Sequence, residues 1–392
     1  MNIEEIIELD KQNYINTYGA RFPIAFERGE GIYLYSTDGR RFVDFFSGFA
    51  VNCIGHSHPR LVNALKDQVG KLLHTSNLYY NPYQAILAKM LVSRSCADKV
   101  FLCNSGAEAN EGAMKLARMY FHRNKDPRHK IVTLKNSFHG RTFATLAATG
   151  QEKFHPPYQP LLQEFVYIDA NNFNELSTID RSTAAVIIEV IQGEGGVNVI
   201  SAEFLQALRK QCDDVGALLI IDEVQTGIGR TGRLFGYEHT GIEPDIFTLA
   251  KGLAGGIPIG AICAKDHVAK AFEQGDHGAT FGGNALACRA ATTVLGIIED
   301  EKLTENVDLM GQYFIQKLIE MESKEIKEVR GRGFMIGLEL KSLAAKDICK
   351  NMLEQGYLIH TAGASVIRIL PPLITKKEDI NEFMKKFSEV LK

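Results

Sequence analysis

Two stretches decide the reading of this chain: LLIIDEVQTGIGRTG (218–232) and DIFTLAKGLAGGIPIG (245–260). Each opens on a short apolar run rich in branched residues, the signature of a strand buried on both faces. Each then breaks into glycines. Asp222 ends the first run and Lys251 follows the second. A lysine just past a buried strand is placed to form a Schiff base. An aspartate at the end of another is placed to hold a positive ring nitrogen. Together they predict a site for pyridoxal phosphate, in which lysine carries the aldehyde and the carboxylate keeps the pyridine protonated.

Working outward, VFLCN (100–104), KIVTL (130–134), FVYI (165–168) and AAVIIEVI (184–191) read as further strands. AEANEGAMKLARMYF and FLQALRKQCDDVG read as helices, the second stopped by its glycine. Apolar strands separated by helices predict an α/β fold with a mostly parallel sheet flanked by helices. Residues 30–52 read as short strands around an Asp-Gly turn. From about residue 285, ALACRAATTVLGIIEDE predicts a long helix, and GRGFMIGLEL and SVIRILPPL predict strands of a small α+β domain. The expected division is an N-terminal segment, 1–55, packing with the small domain, a large cofactor-binding domain, 56–285, and a C-terminal small domain, 286–392.

The 392 residues carry 44 basic and 47 acidic side chains without a basic block, which argues against a nucleic-acid or anionic-membrane partner. Seven scattered cysteines, with no C-x-x-C, read as reduced thiols. The N-terminus is acidic and amphipathic, unlike a signal peptide, and no apolar run is long enough for a membrane span. A cytoplasmic enzyme is the expectation.

Several motifs bear on chemistry. FLCNSGAEANEGAMKLA (101–117) is a strand, a small-residue turn and a helix start. Ser105, Gly106 and Ala107 are placed to bind phosphate at the helix N-terminus, the alternative being an ordinary helix cap at Ser105. GIGRTG (227–232) matches G-x-G-x-x-G literally but lacks the following helix and the distant acidic residue of a dinucleotide site, so its glycines read as a turning loop. In NSFHGRTFATLAATG (136–150), Phe138 can stack on a cofactor ring and Arg141 can grip a carboxylate, while His139 reads as a structural histidine. Arg368, a lone charge in VIRILPPL, suggests a substrate carboxylate. GHSHP (55–59) offers two histidines without further ligands, so no metal site is expected.

Taken in order, GHSHP, TSNLYYN, NSGAEANE, SFHGRT, IQGEGGV, IDEVQTGIGRTG, TLAKGLAGGIPIGA, HGATFGGNALA and VRGRGFMIGLEL resemble the subgroup III aminotransferases of the fold type I pyridoxal phosphate enzymes. Within that group they are similar to the acetylornithine/ornithine aminotransferases, over nearly the whole chain. The resemblance implies a seven-stranded large-domain sheet and assigns roles. Lys251 would carry the cofactor and shuttle a proton. Asp222 would face the ring nitrogen and Gln225 the ring hydroxyl. Val224 and Phe138 would cover the ring faces, and Ser105, Gly106 and Ala107 would hold the phosphate. Thr280 would reach the phosphate of the neighbouring subunit, implying a homodimer with shared sites. Arg141 would hold the amine donor's α-carboxylate, and Arg368 with Glu194 would form a switchable pair for the second carboxylate of glutamate.

The implied reaction moves the terminal amine of an acylated ornithine to 2-oxoglutarate. The rivals are the ornithine, succinylornithine and 4-aminobutyrate transaminases, an aminomutase, or a non-enzymatic cofactor-binding regulator. Four residues depart from the family pattern: Val190 and Ala285 stand where proline is usual, Ala279 where a hydroxyl is usual, and Phe49 where a smaller aliphatic is frequent.

Overall fold

The central element is a seven-stranded sheet. Its strands run in the order Lys99–Cys103, Gly260–Ala264, Ile246–Leu249, Leu218–Asp222, Thr183–Ile188, Lys130–Leu134, Phe165–Ile168. The computed structural model that shows this describes residues 1–391. Every pairing involving Gly260–Ala264 is antiparallel, and the remaining pairs are parallel. The residues of Thr183–Ile188, Leu218–Asp222 and Ile246–Leu249 are all buried, as strands covered on both faces must be.

Six of the seven strands follow from their apolar runs. Gly260–Ala264 does not, because GAICA is short, small and embedded in a glycine-rich stretch. Its glycine is required by packing: a Cβ at Gly260 would lie 2.3 Å from the Ser105 carbonyl oxygen. The run at 184–191 is shorter as a strand than it looks, since Thr183–Ile188 ends before Glu189 and a two-residue strand resumes at Ile191–Gln192.

Helix Gly106–Arg123 is capped by the Ser105 side chain, which accepts from the Glu108 N–H. Helix Ala202–Val215 ends at Gly216 in the left-handed conformation (φ 72°). The GIGRTG loop runs into one short 3-10 turn, Gly236–His239. Arg230, inside that loop, is buried and donates to the carbonyls of Phe334 and Pro371, tying the loop to the C-terminal part of the chain.

Near the N-terminus, Phe26–Glu30, Tyr33–Ser36 and Arg41–Asp44 form an antiparallel meander, turning at Asp38-Gly39 between the last two. Tyr357–Leu358 completes it, parallel to Arg41–Asp44, so chain start and chain end share one sheet. A second four-stranded sheet holds Ile326–Arg332, Met335–Leu340, Val366–Ile369 and His360–Thr361. Helix Ala285–Asp300 packs on helices Pro59–Val69 and Pro82–Val92 and on the turn that carries Lys251. Among the described residues no helix is long and apolar enough to cross a membrane.

Candidate active site

Asp222 and Thr248 are register partners on adjacent parallel strands, so Asp222 and Lys251 emerge side by side at the carboxyl ends. That edge of an open α/β sheet is where ligands bind. Lys251 opens a 3-10 turn, Lys251–Ala254, with φ 42°, a left-handed conformation that costs a side-chain-bearing residue about 1–2 kcal/mol. Gly255 closes the turn, also left-handed, and the Cys53 thiol donates to the Gly252 carbonyl at 3.1 Å. The lysine is half-buried and lines the cavity above the strands. Burial pushes its ammonium below the ordinary lysine range, with Glu194 and Asp222 opposing.

The cavity above these strands holds about 490 Å³ and is lined by Lys251, Asp222, Ser105, Gly106, Ala107, Phe138, Val224, Gln225, Arg141 and Glu194. All of the residues singled out for the cofactor on one protomer therefore meet here. At one end the helix start leaves the Gly106 and Ala107 N–H groups without intrahelical acceptors. Ser105 does two things: it caps the helix and faces the cavity. A Cβ on Gly106 would lie 2.8 Å from Val224 Cγ1, so the bare backbone there is what lets the turn approach Val224.

Asp222 is 4% exposed and accepts three hydrogen bonds. Its Oδ2 accepts from His139 Nδ1 at 2.8 Å and from Asn110 Nδ2 at 2.7 Å, and its Oδ1 from the Val224 N–H at 3.0 Å. Asn110 is in turn fixed by the Thr248 hydroxyl at 2.6 Å and donates to the His139 carbonyl. His139 is thus a structural histidine of a particular kind, since it orients the carboxylate. Asn110 was missed by the sequence reading. Its signal is a polar residue on the buried face of helix Gly106–Arg123.

Glu189 was missed as well, because it sits inside an apolar run. Its carboxylate accepts from the Phe138 N–H at 3.0 Å and the Gly193 N–H at 3.3 Å. Burial pushes it up to about 7, against the pull of His139.

Arg368 is completely buried and pairs with Glu194, Nη1 to Oε1, at 2.7 Å. The same Nη1 lies 3.4 Å from Gln225 Oε1. Nε and Nη2 of Arg368 have no partner, an edge of the guanidinium left free for a bidentate acceptor. Burial raises the Glu194 carboxyl, but the charge and hydrogen bond of Arg368 outweigh it and hold the group below its usual range. Arg141 is at the mouth, 3.9 Å from the Phe154 ring centroid and 5.5 Å from that of Phe138.

The Arg368 end is walled by an unusual turn. Ser47, Gly48, Phe49 and Ala50 all have positive φ (52°, 58°, 65° and 66°), one turn of left-handed helix. Phe49 and Phe46 lie 5.4 and 5.6 Å from the Arg368 guanidinium, and His360 stacks on Phe46 at 4.9 Å.

Two of the residues singled out do not line this protomer's cavity: Arg368 lies buried behind Glu194, and Thr280 is exposed. Its segment is bonded to the TSNLYYN stretch, Asn77 donating to the Ala279 and Gly282 carbonyls at 3.0 and 3.1 Å. Around it Leu78, Tyr79, Tyr80 and Phe281 stand 87, 70, 105 and 60% exposed.

The two histidines of GHSHP diverge. His56 meets Asp44 at 2.8 Å and His58 meets Glu301 at 3.1 Å.

The residues present fit pyridoxal phosphate: a buried, well-oriented carboxylate with acceptor capacity left on Oδ1, a lysine beside it and free N–H groups at a helix start. Fold and site together define a fold type I pyridoxal phosphate-dependent aminotransferase. Residues 14–391 match the family model described as aminotransferase class-III, and the chain belongs to that family. A relative from Caldanaerobacter subterraneus subsp. tengcongensis, acetylornithine aminotransferase, is 48% identical over 98% of this chain and 99% of its own. The protein of the same name from Aquifex aeolicus is 49% identical over 96% and 99%. Among solved structures, ornithine aminotransferase from Toxoplasma gondii superposes with a TM-score of 0.95 at 31% identity, covering 100% of this chain and 95% of that one. Acetylornithine aminotransferase from Elizabethkingia anophelis gives 0.90 at 34%, covering 100% and 99%.

Proposed function

We propose that this chain is an acetylornithine aminotransferase, moving the terminal amino group of N-acetylornithine to 2-oxoglutarate to give N-acetylglutamate semialdehyde and glutamate. The observation that carries the reading is Arg368, buried, with Nε and Nη2 unpartnered, and paired with Glu194, which lines the same cavity as Lys251 and Asp222. A site that takes a monocarboxylate amine in one half-reaction and a dicarboxylate in the other needs a cation that can be neutralised from within. The high identity to acetylornithine enzymes over whole chains supports this donor over ornithine, whose enzymes are similar at lower identity.

Pyridoxal phosphate, when bound, supplies the aldehyde that takes up the amine and the ring that withdraws electrons from the adjacent carbon. Lys251 would hold the cofactor covalently between turnovers, and its free amine would move the proton, a role that its depressed basicity favours. Asp222, kept in line by His139 and Asn110, would hold the positive charge of the ring nitrogen. Gln225 would meet the ring hydroxyl, and Val224 and Phe138 would cover the ring, with Glu189 fixing the Phe138 backbone. The Ser105–Ala107 turn holds the phosphate. Arg141 holds the α-carboxylate in both half-reactions, and Arg368 the second carboxylate of glutamate once Glu194 turns away. The two half-reactions alternate in a ping-pong cycle.

The proposal extends to a homodimer in the cytoplasm, with Thr280 completing the partner's phosphate site. It includes the division 1–55, 56–285 and 286–392, in which the N-terminal segment packs with the small domain through the shared sheet.

Single-turnover bleaching of cofactor absorbance with acetylornithine, ornithine, succinylornithine and 4-aminobutyrate tests the donor. Acetylornithine is expected to react fastest. A higher rate with another amine would reassign it, and turnover of a semialdehyde without any 2-oxo acid would move the chain to the aminomutases.

A further inference from the structure

A left-handed helical turn made largely of residues with side chains does not hold itself together. The turn Ser47–Ala50 is held from one side by Asp44. Asp44 Oδ1 accepts from the Ser47 N–H at 2.8 Å and the Phe46 N–H at 3.1 Å. From the other side, Ser47 Oγ donates to the Leu370 carbonyl at 2.8 Å, two residues past Arg368. Asp44 itself is 2% exposed, and its second oxygen, Oδ2, meets His56 Nε2 at 2.8 Å. Since a carboxylate only accepts, that nitrogen carries the proton. The backbone of His56 is locked in turn, exchanging hydrogen bonds with Gly31 (3.0 and 2.7 Å). Gly29 lies against the imidazole, close enough that a Cβ there would be 2.7 Å from His56 Cβ. A continuous chain of contacts thus runs from the N-terminal meander through His56 and Asp44 to the turn whose Phe49 flanks Arg368.

We propose that His56 is a positioning residue for the carboxylate end of the pocket: through Asp44 it holds the left-handed turn Ser47–Ala50, and so seats Phe46 and Phe49 against Arg368. This accounts for the first histidine of GHSHP, which lies outside the cavity lining and has no metal companion. The inference deepens the reading of Arg368 as the binder of the second carboxylate and rests on it. Without the His56 bond, Asp44 keeps its charge but loses its fixed orientation. The turn then relaxes toward right-handed backbone, and the aromatic wall beside Arg368 moves with it. The ligand that feels this is the one whose carboxylate reaches Arg368. An amine held only by Arg141 does not.

The test uses the cofactor-loaded enzyme and three variants: His56→Ala, His56→Gln and Gly29→Ala. Glutamine places an N–H at nearly the reach of the imidazole Nε2. The added methyl at Gly29 displaces the imidazole from outside, without touching Asp44. Each half-reaction is measured alone by stopped flow, with glutamate and with whichever monocarboxylate amine the wild type uses fastest. His56→Ala and Gly29→Ala are expected to raise the half-saturating glutamate concentration about tenfold, the scale of one hydrogen bond to a charged group. The saturated rate, the amine half-reaction and the cofactor content should change little, and His56→Gln should restore most of the affinity. If His56→Ala does not fold, Gly29→Ala and His56→Gln decide. Unchanged glutamate saturation in the folded variants would overturn the proposal. So would parallel losses in both half-reactions without rescue by glutamine, which mark a merely structural histidine. A wild type inert toward acetylornithine would instead overturn the donor assignment and leave the glutamate comparison standing.

Discussion

Arg368 brings a charge into a fully enclosed position, and its 2.7 Å pair with Glu194 is what makes that tolerable. The segment around Glu194 is not loose. Asn198 donates to the Gly195 carbonyl, and Arg330 to that of Gly196 at 2.8 Å. A Cβ on Gly195 would lie 2.5 Å from the Asn136 carbonyl. The glycines after Glu194 therefore serve close packing rather than loop motion, and the proposed switch is a rotation of the Glu194 side chain, which is 30% exposed. Glu194→Ala is expected to tighten the glutamate half-reaction and weaken the acetylornithine one. Arg368→Ala should do the reverse, costing the glutamate side about 2–5 kcal/mol, the range for losing one partner of a buried charge pair. Equal losses in both half-reactions, measured separately, would reduce Glu194 to a loop residue. At the other end of the cavity, Asp222→Asn keeps the shape and removes the charge that a pyridinium needs. It also sets an amide against His139 and Asn110, both placed to donate. Proton removal should slow by roughly 10²–10³-fold with substrate binding largely intact. Wild-type half-reaction rates in that variant would show the aspartate to be structural.

The helix that begins at Gly106 carries the proposed phosphate site, and its start is set by two close approaches. Gly106 meets Val224, 2.8 Å from where a Cβ would sit, and Gly260 meets the Ser105 carbonyl at 2.3 Å. Gly106→Ala would push Val224 toward the ring space and tilt the first turn. An overpacking cost of about 1–3 kcal/mol should appear as weaker cofactor affinity, at least tenfold at the middle of that range. Equilibrium dialysis of apoenzyme with pyridoxal phosphate measures it, and wild-type affinity would show that the turn absorbs the methyl. Elements of this kind are where sequence and structure part company. The buried parallel strands were legible because both faces demand apolar, branched residues, so LLIID and DIFTL announce themselves. Gly260–Ala264 was not, because small residues forced by contact with the Ser105 turn resemble loop composition. Lys251 and Asp222 were legible as ends of strands. Asn110 and Glu189 were not, since each is a polar residue within an apolar element whose partner lies far along the chain: Asp222 for the first, the Phe138 backbone for the second. The left-handed turn Ser47–Ala50 left no trace, because only one of its four residues is a glycine.

At the scale of the whole molecule, the phosphate end of the cavity is bordered by residues that one protomer leaves exposed. Thr280 stands at the surface, on a segment that Asn77 and Asn81 tie to the TSNLYYN stretch. Leu78, Tyr79, Tyr80 and Phe281 crowd the same rim with most of their side chains uncovered. Exposed apolar side chains gathered on one segment are what the proposed dimer would cover. In the proposed two-fold dimer the same patch would face itself, and each protomer would offer its Thr280 to the other. The prediction is complementation. Lys251→Ala removes the covalent link while the phosphate cradle and Asp222 remain, so it should bind cofactor without a borohydride-trappable bond and turn nothing over. Thr280→Glu sets a negative charge against the partner's phosphate and should also be inactive. In a heterodimer of the two, one site combines the mutated lysine with the mutated rim. The other combines an intact Lys251 with an intact Thr280 from across the interface. Mixed and refolded together, with heterodimers verified by differential tags, the pair should recover activity that neither homodimer has, through that one intact site. Ala279 adjoins Thr280 without a hydroxyl of its own, so Thr280 is the side-chain hydroxyl this segment offers and the effect of its loss should not be masked by a neighbour. Verified heterodimers without activity, or a fully active monomer, would show that each protomer builds its site alone.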